Sequence, residues 1–546
     1  MTDFDPVLPE GAAKKKQEIF LLAAAFFVPL LLLGILRTIA SFAGGEPGTD
    51  AFYHVKMGLL GPEVFCAKEF PVLVSSFWQE TFADKELFYH LLLWGLNHLR
   101  KLVTGEEGAP FHFQTLFFCG LALAGFIRCL YCLRIPPSII FLASLLLPFS
   151  ASSFAYRFLM LRPHVYSLFL LLLYTSFLAE EKWNRKGKAI LSLLMGIFYS
   201  WSYSNSHFLL IPACFYSFFD WRESREKKAF FLPLFTAAGL FLGGILHPQF
   251  PNTFLIWKVQ GIDAMLGPLA GMGFSSRLAP MEMQPGGIRW HLNNIPFYIL
   301  LYFILLLFCR LRERGKTGFS PVEKMIFLMG VLFSCGLFFA LRSVEIAAPF
   351  VVLSFAVLLK RVFAEKLSIP LLPYADFPLK RYCLLLLFTL LFLLQTSLFL
   401  LGSAYRTKSP GTIAEYLQWN NPSGRVVCNL DWGDFPAMFF ASGMKLSQLW
   451  GMDPVFSYKK DPKLAREIER AVINSIYVPG MDRKLHELTG GYFAFLLSHR
   501  KTFIRNLKRQ NWKVVFENEE GAVFALVPLH YLNLKNPPLK AEAKGK

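Results

Sequence analysis

Long runs of uncharged apolar residues recur along most of this chain of 546 residues. Apolar residues make up 54% of the sequence, and Phe alone occurs 58 times, which is far more than a soluble domain contains. A helix of about 20 apolar residues covers the roughly 30 Å hydrocarbon layer of a bilayer. The chain is therefore predicted to be an α-helical polytopic membrane protein.

Eleven segments are candidate spans, several of them shorter than the ideal length. They are 19–36, 111–133, 137–153, 164–178, 189–204, 207–219, 229–246, 295–309, 325–341, 346–360 and 382–402. Only 205–207 join the fifth span to the sixth, and only 342–345 join the ninth to the tenth. Each of these pairs is predicted to form a tight hairpin or a discontinuous helix, with polar residues near one membrane surface.

The distribution of Lys and Arg predicts the orientation, because these residues are retained on the cytoplasmic side. The N-terminus and the connections 128–136, 180–188, 220–228, 310–324 and 360–381 hold 23 Lys or Arg in 82 residues, whereas the opposite connections hold 12 in 139. This predicts a cytoplasmic N-terminus and places 403–546 on the outer side of the cell inner (plasma) membrane. The net charge of +18 then reflects topology and contact with anionic membrane lipids, so no nucleic-acid partner is predicted.

The sequence changes character after about residue 404. Residues 425–429 and 492–497 have the pattern of buried strands, and 499–510 that of a basic helix. Residues 512–516 and 522–527 have the pattern of a hairpin. We therefore divide the chain into a transmembrane domain, 1–404, and an extracytoplasmic soluble α/β domain, 405–546.

Polar residues gather in the connections assigned to the outer side. They are Asp50, Tyr53, His54, Asp84, Arg157, Arg162, His164, His207, His247, Arg277, Arg342 and Glu345. Ionisable groups at the ends of spans are costly unless they face water, so these residues predict a shared cavity. Each also has an ordinary explanation, because an arginine can extend to lipid headgroups and a histidine or acid can cap a helix or lie in a solvated loop. For Asp84 we expect capping of an amphipathic helix over 86–100.

One carboxylate with several histidines and arginines is suited to transfer from a lipid phosphate donor. Arginine binds phosphate through paired hydrogen bonds. A carboxylate can bind a metal ion or accept the proton of the acceptor.

Several short motifs occur in a characteristic order on the outer side. They are D-A-F-Y-H at Asp50–His54, R-P-H at Arg162–His164, N-S-H at Asn205–His207, H-P at His247–Pro248 and D-W-G at Asp431–Gly433. The first resembles the D-x-Y-Y-H element of oligosaccharyltransferase catalytic subunits, which belong to the GT-C superfamily of glycosyltransferases that use polyprenyl-phosphate sugars. The first four motifs together are similar to bacterial multi-span proteins of that superfamily, and D-W-G falls where oligosaccharyltransferases carry W-W-D-x-G. Asn429 and Leu430 stand where oligosaccharyltransferases have paired tryptophans, so the resemblance leaves the acceptor open.

The resemblance implies a GT-C-like fold and a cell-envelope glycosyltransferase with a lipid-linked sugar donor. It implies that Asp50 is a base or metal ligand, that His54 is a second ligand or an orienting donor, and that Arg342 and Arg162 bind the donor phosphate. Further candidates are Tyr53, His164, His207, His247 and Glu345. A carboxylate with phosphate oxygens suits Mg²⁺ or Mn²⁺, so Asp50 and His54 are candidate metal ligands.

Two other classes of function stay open at this stage. One is a transporter of lipid-linked oligosaccharides or solutes, and the other is a non-catalytic envelope assembly factor with the same fold. Transporters often place ionisable groups at the bilayer midplane and consist of two related halves. In this sequence the polar residues gather at one leaflet, and the two halves are not alike.

Overall fold

The computed structural model describes residues 10–42, 45–108, 110–263, 285–316, 318–365, 378–402, 407–451, 453–532 and 534–535. Helices dominate up to residue 402. They are α1 (Glu10–Ala40), α2 (Asp50–Leu60), α3 (Pro62–Phe65), α4 (Leu87–Thr104), α5 (Phe111–Cys132), α6 (Pro137–Leu146), α7 (Ser152–Phe158), α8 (Pro163–Ala179), α9 (Arg185–Ser200), α10 (Leu210–Ser224), α11 (Phe231–Leu246), α12 (Asn252–Ile256), α13 (Ile288–Asn293), α14 (Ile295–Glu313), α15 (Pro321–Gly336), α16 (Val344–Ala364) and α17 (Pro378–Gly402). Arg277 lies outside the described residues.

Each of the eleven predicted spans overlaps one of these helices, but not every helix is long enough to cross a bilayer by itself. Within the described residues, five helices have the necessary length and apolarity: Lys15–Ala40, Phe111–Cys132, Lys227–Leu246, Ile295–Glu313 and Leu341–Ala364. The bent pair Pro137–Phe149 and Ser152–Phe158 would make a sixth. The described residues thus contain five or six helices that are long and apolar enough to cross a membrane, and the count of eleven spans stays a prediction.

The bend in the third predicted span has a local cause. Pro148 lies in the 3-10 turn Leu147–Phe149, and Ala151 that follows has extended backbone dihedral angles. Since proline cannot donate a helical hydrogen bond, the helix breaks here, and α7 continues at 88° to the preceding segment. The break sets the direction of α7, which carries Arg157.

The chain forms two compact units. The first comprises Met1–Phe42, His112–Gly243 and Pro280–Ala404, and the second comprises Ala43–Phe111, Gly244–Ala279 and Tyr405–Lys546. The second unit thus includes two segments, 43–111 and 244–279, that the sequence analysis assigned to the transmembrane domain. Long-range packing, which local composition does not report, determines this grouping.

The second unit contains a small sheet covered by helices. Its further elements are α18 (Gly411–Asn420), β1 (Val427–Asn429), α19 (Phe435–Ser442), α20 (Pro454–Lys460), α21 (Pro462–Asn474), α22 (Met481–Thr489), β2 (Phe493–Leu497), α23 (Lys501–Arg509), β3 (Lys513–Asn518) and β4 (Gly521–Ala525). The strand order is β1–β2–β4–β3, with β1 parallel to β2 and the other pairs antiparallel. The predicted strands, basic helix and hairpin of the α/β domain are therefore confirmed.

Alternation along β2 explains how both faces of this sheet are buried. Ala494 and Leu496 face a core that includes Ile468 of α21 and Leu507 of α23. Phe493, Phe495 and Leu497 face the opposite core, with residues from α18 and α19. Phe52 of α2 also belongs to this second core, so α2 is packed within the same unit.

Candidate functional site

The D-A-F-Y-H motif lies on α2. Asp50 is the first residue of this helix and is partly exposed, whereas Phe52, Tyr53 and His54 are buried. A carboxylate in the first turn of a helix interacts favourably with the helix dipole. Asp50 therefore lies at the start of a helix rather than in a loop, and its partial exposure leaves contact with solvent possible.

The buried part of this motif is held by a chain of three side chains. Nδ1 of His54 lies 2.9 Å from Nε2 of His90, and Nδ1 of His90 lies 2.7 Å from Oδ2 of Asp84. If the Asp84 carboxylate accepts the Nδ1 proton of His90, then His90 Nε2 accepts from His54 Nδ1. His54 is thus held in one orientation by its contact with His90.

Sequence reasoning missed His90 and the main role of Asp84. Asp84 does accept a hydrogen bond of 3.1 Å from the amide of Glu86 next to the start of α4, as expected for a cap, but it also binds His90. His90, Leu93 and Asn97 recur at helical spacing and are all buried. A histidine on the apolar face of an amphipathic helix was the available signal for a buried partner.

Burial also determines the state of Tyr53. The pKa of its phenol is raised well above the usual value, first by burial and then by the negative charges of Asp84, Glu86 and Asp50. Tyr53 is therefore neutral near pH 7, and its ring serves as a packing group. Its ring lies against those of His54 and His90 at centroid distances of 5.3 and 5.8 Å.

His247 and Gln249 stabilise the loops around this helix pair. Nε2 of His247 donates to the backbone oxygen of Asp84 at 3.1 Å, while Nδ1 accepts from the amide of Gln249 at 3.2 Å. The Gln249 side chain accepts from the amide of Asp84 and donates to the carbonyls of Val64 and Ala67. Burial lowers the pKa of His247, so its imidazole is neutral. Its role is structural, because it connects the loop at Asp84 to the loop at Gln249.

The first unit holds a second polar cluster, centred on Glu345 in the first turn of α16. The guanidinium of Arg157 pairs with Oε1 of Glu345, and both side chains are almost completely buried. Nε of Arg342 lies 3.6 Å from Oε2 of the same carboxylate. Arg342 also donates to the hydroxyl of Tyr203 at 3.1 Å, a contact that sequence reasoning missed because Tyr203 lies in an apolar run.

Two further predicted residues belong to this cluster. Nε2 of His164 lies 2.9 Å from the backbone oxygen of Arg157 and 3.9 Å from Glu345. The charged groups that act electrostatically on His164 are Glu345, Arg157, Arg162 and Arg342. Three guanidinium groups and one carboxylate within range of one imidazole form a predominantly cationic cluster, which is suited to an anion.

The contacts described for His207 differ from those of the cluster around Glu345. It lies in the 3-10 turn Ser206–Leu209 that precedes α10, and its ring meets that of Phe208 at a centroid distance of 4.9 Å. The structure thus groups the predicted site residues by unit. Arg162, His164, Arg342 and Glu345 meet in the first, whereas Tyr53, His54 and His247 are held together in the second.

The predicted metal ligands do not form a preformed metal site. Within the described part of the chain, no group of three or more His, Cys, Asp or Glu side chains is arranged to hold a metal ion. One ring nitrogen of His54 is directed at His90. Asp50 and His54 would therefore supply at most part of a coordination shell.

No family model and no curated protein matches this sequence. Solved structures match nearly the whole chain. The oligosaccharyltransferase of Archaeoglobus fulgidus, tethered with an acceptor peptide containing the NVT sequon, aligns with 95% of this chain and 75% of its own at 9% identity and a TM-score of 0.61. The archaeal oligosaccharyltransferase AglB from the same organism, in complex with an inhibitory peptide and a dolichol-phosphate, aligns with 92% of this chain and 75% of its own at 11% identity and a TM-score of 0.56.

A second enzyme matches over nearly its whole length. ArnT from Cupriavidus metallidurans, bound to undecaprenyl phosphate, aligns with 95% of this chain and 99% of its own at 13% identity and a TM-score of 0.54. Both enzymes are GT-C superfamily members. At these identities the likeness establishes the fold alone, so this chain has the fold of these two enzymes, and the resemblance drawn from its motifs is confirmed at the level of the fold.

Proposed function

We propose that this protein is a membrane glycosyltransferase that transfers a sugar from a polyprenyl-phosphate-linked donor to an acceptor on the outer face of the membrane. The fold supports the class of reaction, since structures of its neighbours contain dolichol-phosphate or undecaprenyl phosphate. The observation that carries the proposal is the cationic cluster around Glu345 in the first unit.

The cluster has the chemistry of a phosphate site close to a membrane span. Arg342 and Arg162 are assigned to the donor phosphate, because planar guanidinium groups bind phosphate oxygens through paired hydrogen bonds. The Arg157–Glu345 pair is almost completely buried and so holds the start of α16 against α7. Charged side chains at this depth are expensive to bury, and a bound anionic headgroup offsets part of that cost.

In the second unit, Asp50 is assigned the role of base or metal ligand that the resemblance implies. As a base, its carboxylate would take the proton of the acceptor hydroxyl or amide while the acceptor oxygen or nitrogen bonds to the sugar carbon. The bond between that carbon and the phosphate oxygen breaks, and the polyprenyl phosphate leaves. His54, which is held by His90, is assigned the role of second ligand or orienting donor that the resemblance implies. A Mg²⁺ or Mn²⁺ ion, if bound, would be held in part by Asp50 and would supply positive charge there.

The proposal is tested first by donor binding. Purified protein in nanodiscs is exposed to photoreactive undecaprenyl phosphate, with undecaprenol as the matched compound that lacks the phosphate. We expect the photoreactive undecaprenyl phosphate to label the protein. Excess unlabelled undecaprenyl phosphate should prevent this labelling, whereas excess undecaprenol should not. Equal competition by both compounds would show lipid contact without phosphate recognition.

The reaction itself is tested in a deletion strain. Mass analysis of its cell-envelope glycans and glycoproteins should show the loss of one glycosylated species, restored by the wild-type gene. Loss of a transporter would instead leave the lipid-linked precursor accumulated on the cytoplasmic side. If the protein were an assembly factor, the wild-type gene and an Asp50→Asn variant would restore the missing glycosylated species equally.

A further inference from the structure

Tyr203 lies in the short connection between α9 and α10, next to the polar cluster around Glu345. The residue is 4% exposed, and its ring packs edge to face against that of Tyr199 in α9 at a centroid distance of 6.2 Å. The guanidinium carbon of Arg342 lies 5.7 Å from the centroid of the Tyr203 ring. Tyr203 is therefore a buried side chain that reaches the cluster with its hydroxyl group.

The hydroxyl oxygen of Tyr203 accepts two hydrogen bonds. A terminal nitrogen of Arg342 donates to it at 3.1 Å, and the side chain of Asn205 forms the second bond. Since Oδ1 of Asn205 has no partner within the described ranges, the amide nitrogen is the group that donates. A hydroxyl oxygen has two lone pairs, so both are occupied here.

The same hydroxyl also has a proton to donate. Among the residues that the structure describes, none accepts a hydrogen bond from Tyr203. A buried donor without an acceptor is unfavourable, because it loses the water that bonds it in the unfolded chain. The position thus requires one more acceptor atom beside the hydroxyl.

The charges around Tyr203 favour an anionic acceptor. Arg342, Glu345 and Arg157 act on it electrostatically, which is two cations against one anion, and the anion is itself paired with Arg157. The excess of positive charge attracts a charged oxygen. A hydrogen bond from a hydroxyl to such an oxygen is roughly twice as strong as one between neutral groups. A phosphate oxygen beside Arg342 meets these requirements.

We propose that Tyr203 is part of the donor phosphate site. Its hydroxyl donates to a phosphate oxygen of the polyprenyl-phosphate-linked sugar and, through its oxygen, holds the guanidinium group of Arg342 in position. The inference rests on the proposed function and adds a phosphate-binding residue to it. Asn205, the first residue of the N-S-H motif, then has the role of orienting the Tyr203 hydroxyl.

The role of Tyr203 is tested on the full-length protein in nanodiscs with photoreactive undecaprenyl phosphate, which has the phosphate but not the sugar. Tyr203→Phe removes the hydroxyl and keeps the ring. The probe concentration that half-saturates labelling should rise about tenfold in this variant, as expected for the loss of a hydrogen bond to a charged group. Undecaprenol should compete as poorly as it does in the wild type.

Tyr199→Phe is the matched control. Tyr199 is also buried, but its hydroxyl bonds to Ser167 rather than to an arginine of the cluster. This variant should be labelled at wild-type probe concentrations. Thermal unfolding curves of both variants show whether the loss of either hydroxyl affects the fold.

A measurement on the wild-type protein does not depend on the stability of any variant. With the ζ carbons of the tyrosines labelled with ¹³C, solid-state NMR should detect a dipolar contact between one of them and the ³¹P nucleus of bound undecaprenyl phosphate. The contact should be absent in Tyr203→Phe and present in Tyr199→Phe.

Three results would overturn the inference while leaving the proposed function intact. They are wild-type labelling of Tyr203→Phe, equal weakening by both variants, and a bound phosphate without a contact to a tyrosine ζ carbon. If the wild type instead fails to distinguish undecaprenyl phosphate from undecaprenol, the proposed function fails, and the role of Tyr203 fails with it.

Discussion

Asp84 shows how strongly a single buried carboxylate can organise this protein. Its side chain accepts from His90 and from the amide of Glu86, while its backbone donates to Gln249 and accepts from His247. The residue is 1% exposed. A carboxylate buried to this extent is stable only while its partners are in place, so Asp84 serves the fold, in contrast with the partly exposed Asp50.

This contrast gives a prediction for Asp50. Asp50→Asn should keep the protein folded but lower the transfer rate about 100-fold or more, because the charge needed by a base or metal ligand is lost. The matched control is Asp84→Asn, which should lower the free energy of unfolding by about 3–5 kcal/mol through an unpaired buried partner. Glycan product and thermal unfolding are measured for both. If Asp50→Asn forms as much glycan product as the wild type, then Asp50 is neither the base nor a required metal ligand.

A second prediction concerns Arg342. Arg342→Lys keeps the positive charge but loses the planar group, so the KM for the lipid donor should rise about tenfold or more while acceptor affinity stays the same. Glu345→Gln is the comparison, because it breaks the pair with Arg157 and should mainly destabilise the protein.

Steady-state kinetics and unfolding curves separate the two roles of Arg342. If both variants destabilise the protein alike and leave the donor KM unchanged, then Arg342 is a structural partner of Glu345. The phosphate site would in that case lie at Arg162 or Arg277.

At the scale of the elements, small residues determine how closely α9 and α11 pack. A Cβ atom added at Gly196 in α9 would lie 2.7 Å from the backbone oxygen of Thr236 in α11, and one added at Gly239 would meet the backbone of Leu193. Backbone atoms cannot move aside as a side chain can. Close approach through small residues is a general way of associating helices in membranes.

We therefore expect Gly196→Ala to lower the melting temperature in detergent, with a cost of about 1–3 kcal/mol from overpacking. Gly95→Ala is the control, because no heavy atom lies within 4 Å of a Cβ added at Gly95 in α4. Alanine is the better helix former, so this control should be neutral or slightly stabilising. Equal melting temperatures for the two variants would mean that α9 and α11 separate without cost.

At the scale of the whole molecule, the charge distribution predicts the topology. A reporter fused after Lys316, which follows α14, should give a cytoplasmic signal, and one fused after Lys546 an extracytoplasmic signal. Expression levels of the two fusions serve as the control. If both reporters lie on the same side, the odd number of spans is wrong, and Asp50 and the C-terminal domain lie in different compartments.

The sequence by itself determined the local elements. The apolar runs gave helices at all eleven predicted segments, and alternation in 492–497 gave the buried strand β2. Both patterns report the environment of neighbouring residues in the chain, so they can be read without knowing the fold. The order of short motifs also indicated the GT-C resemblance, although it left open which residues meet.

Only the tertiary structure decided which polar side chains became partners. Arg157 and Glu345 are 188 positions apart, and His54 and His90 are 36 apart. Their meeting depends on the break at Pro148 and on the packing of α2 against α4. Contacts between distant segments likewise determine that His247 binds the backbone of Asp84. They also place 43–111 in the same unit as the C-terminal sheet. Such contacts depend on how distant elements pack together, and that packing leaves no local signal in the sequence.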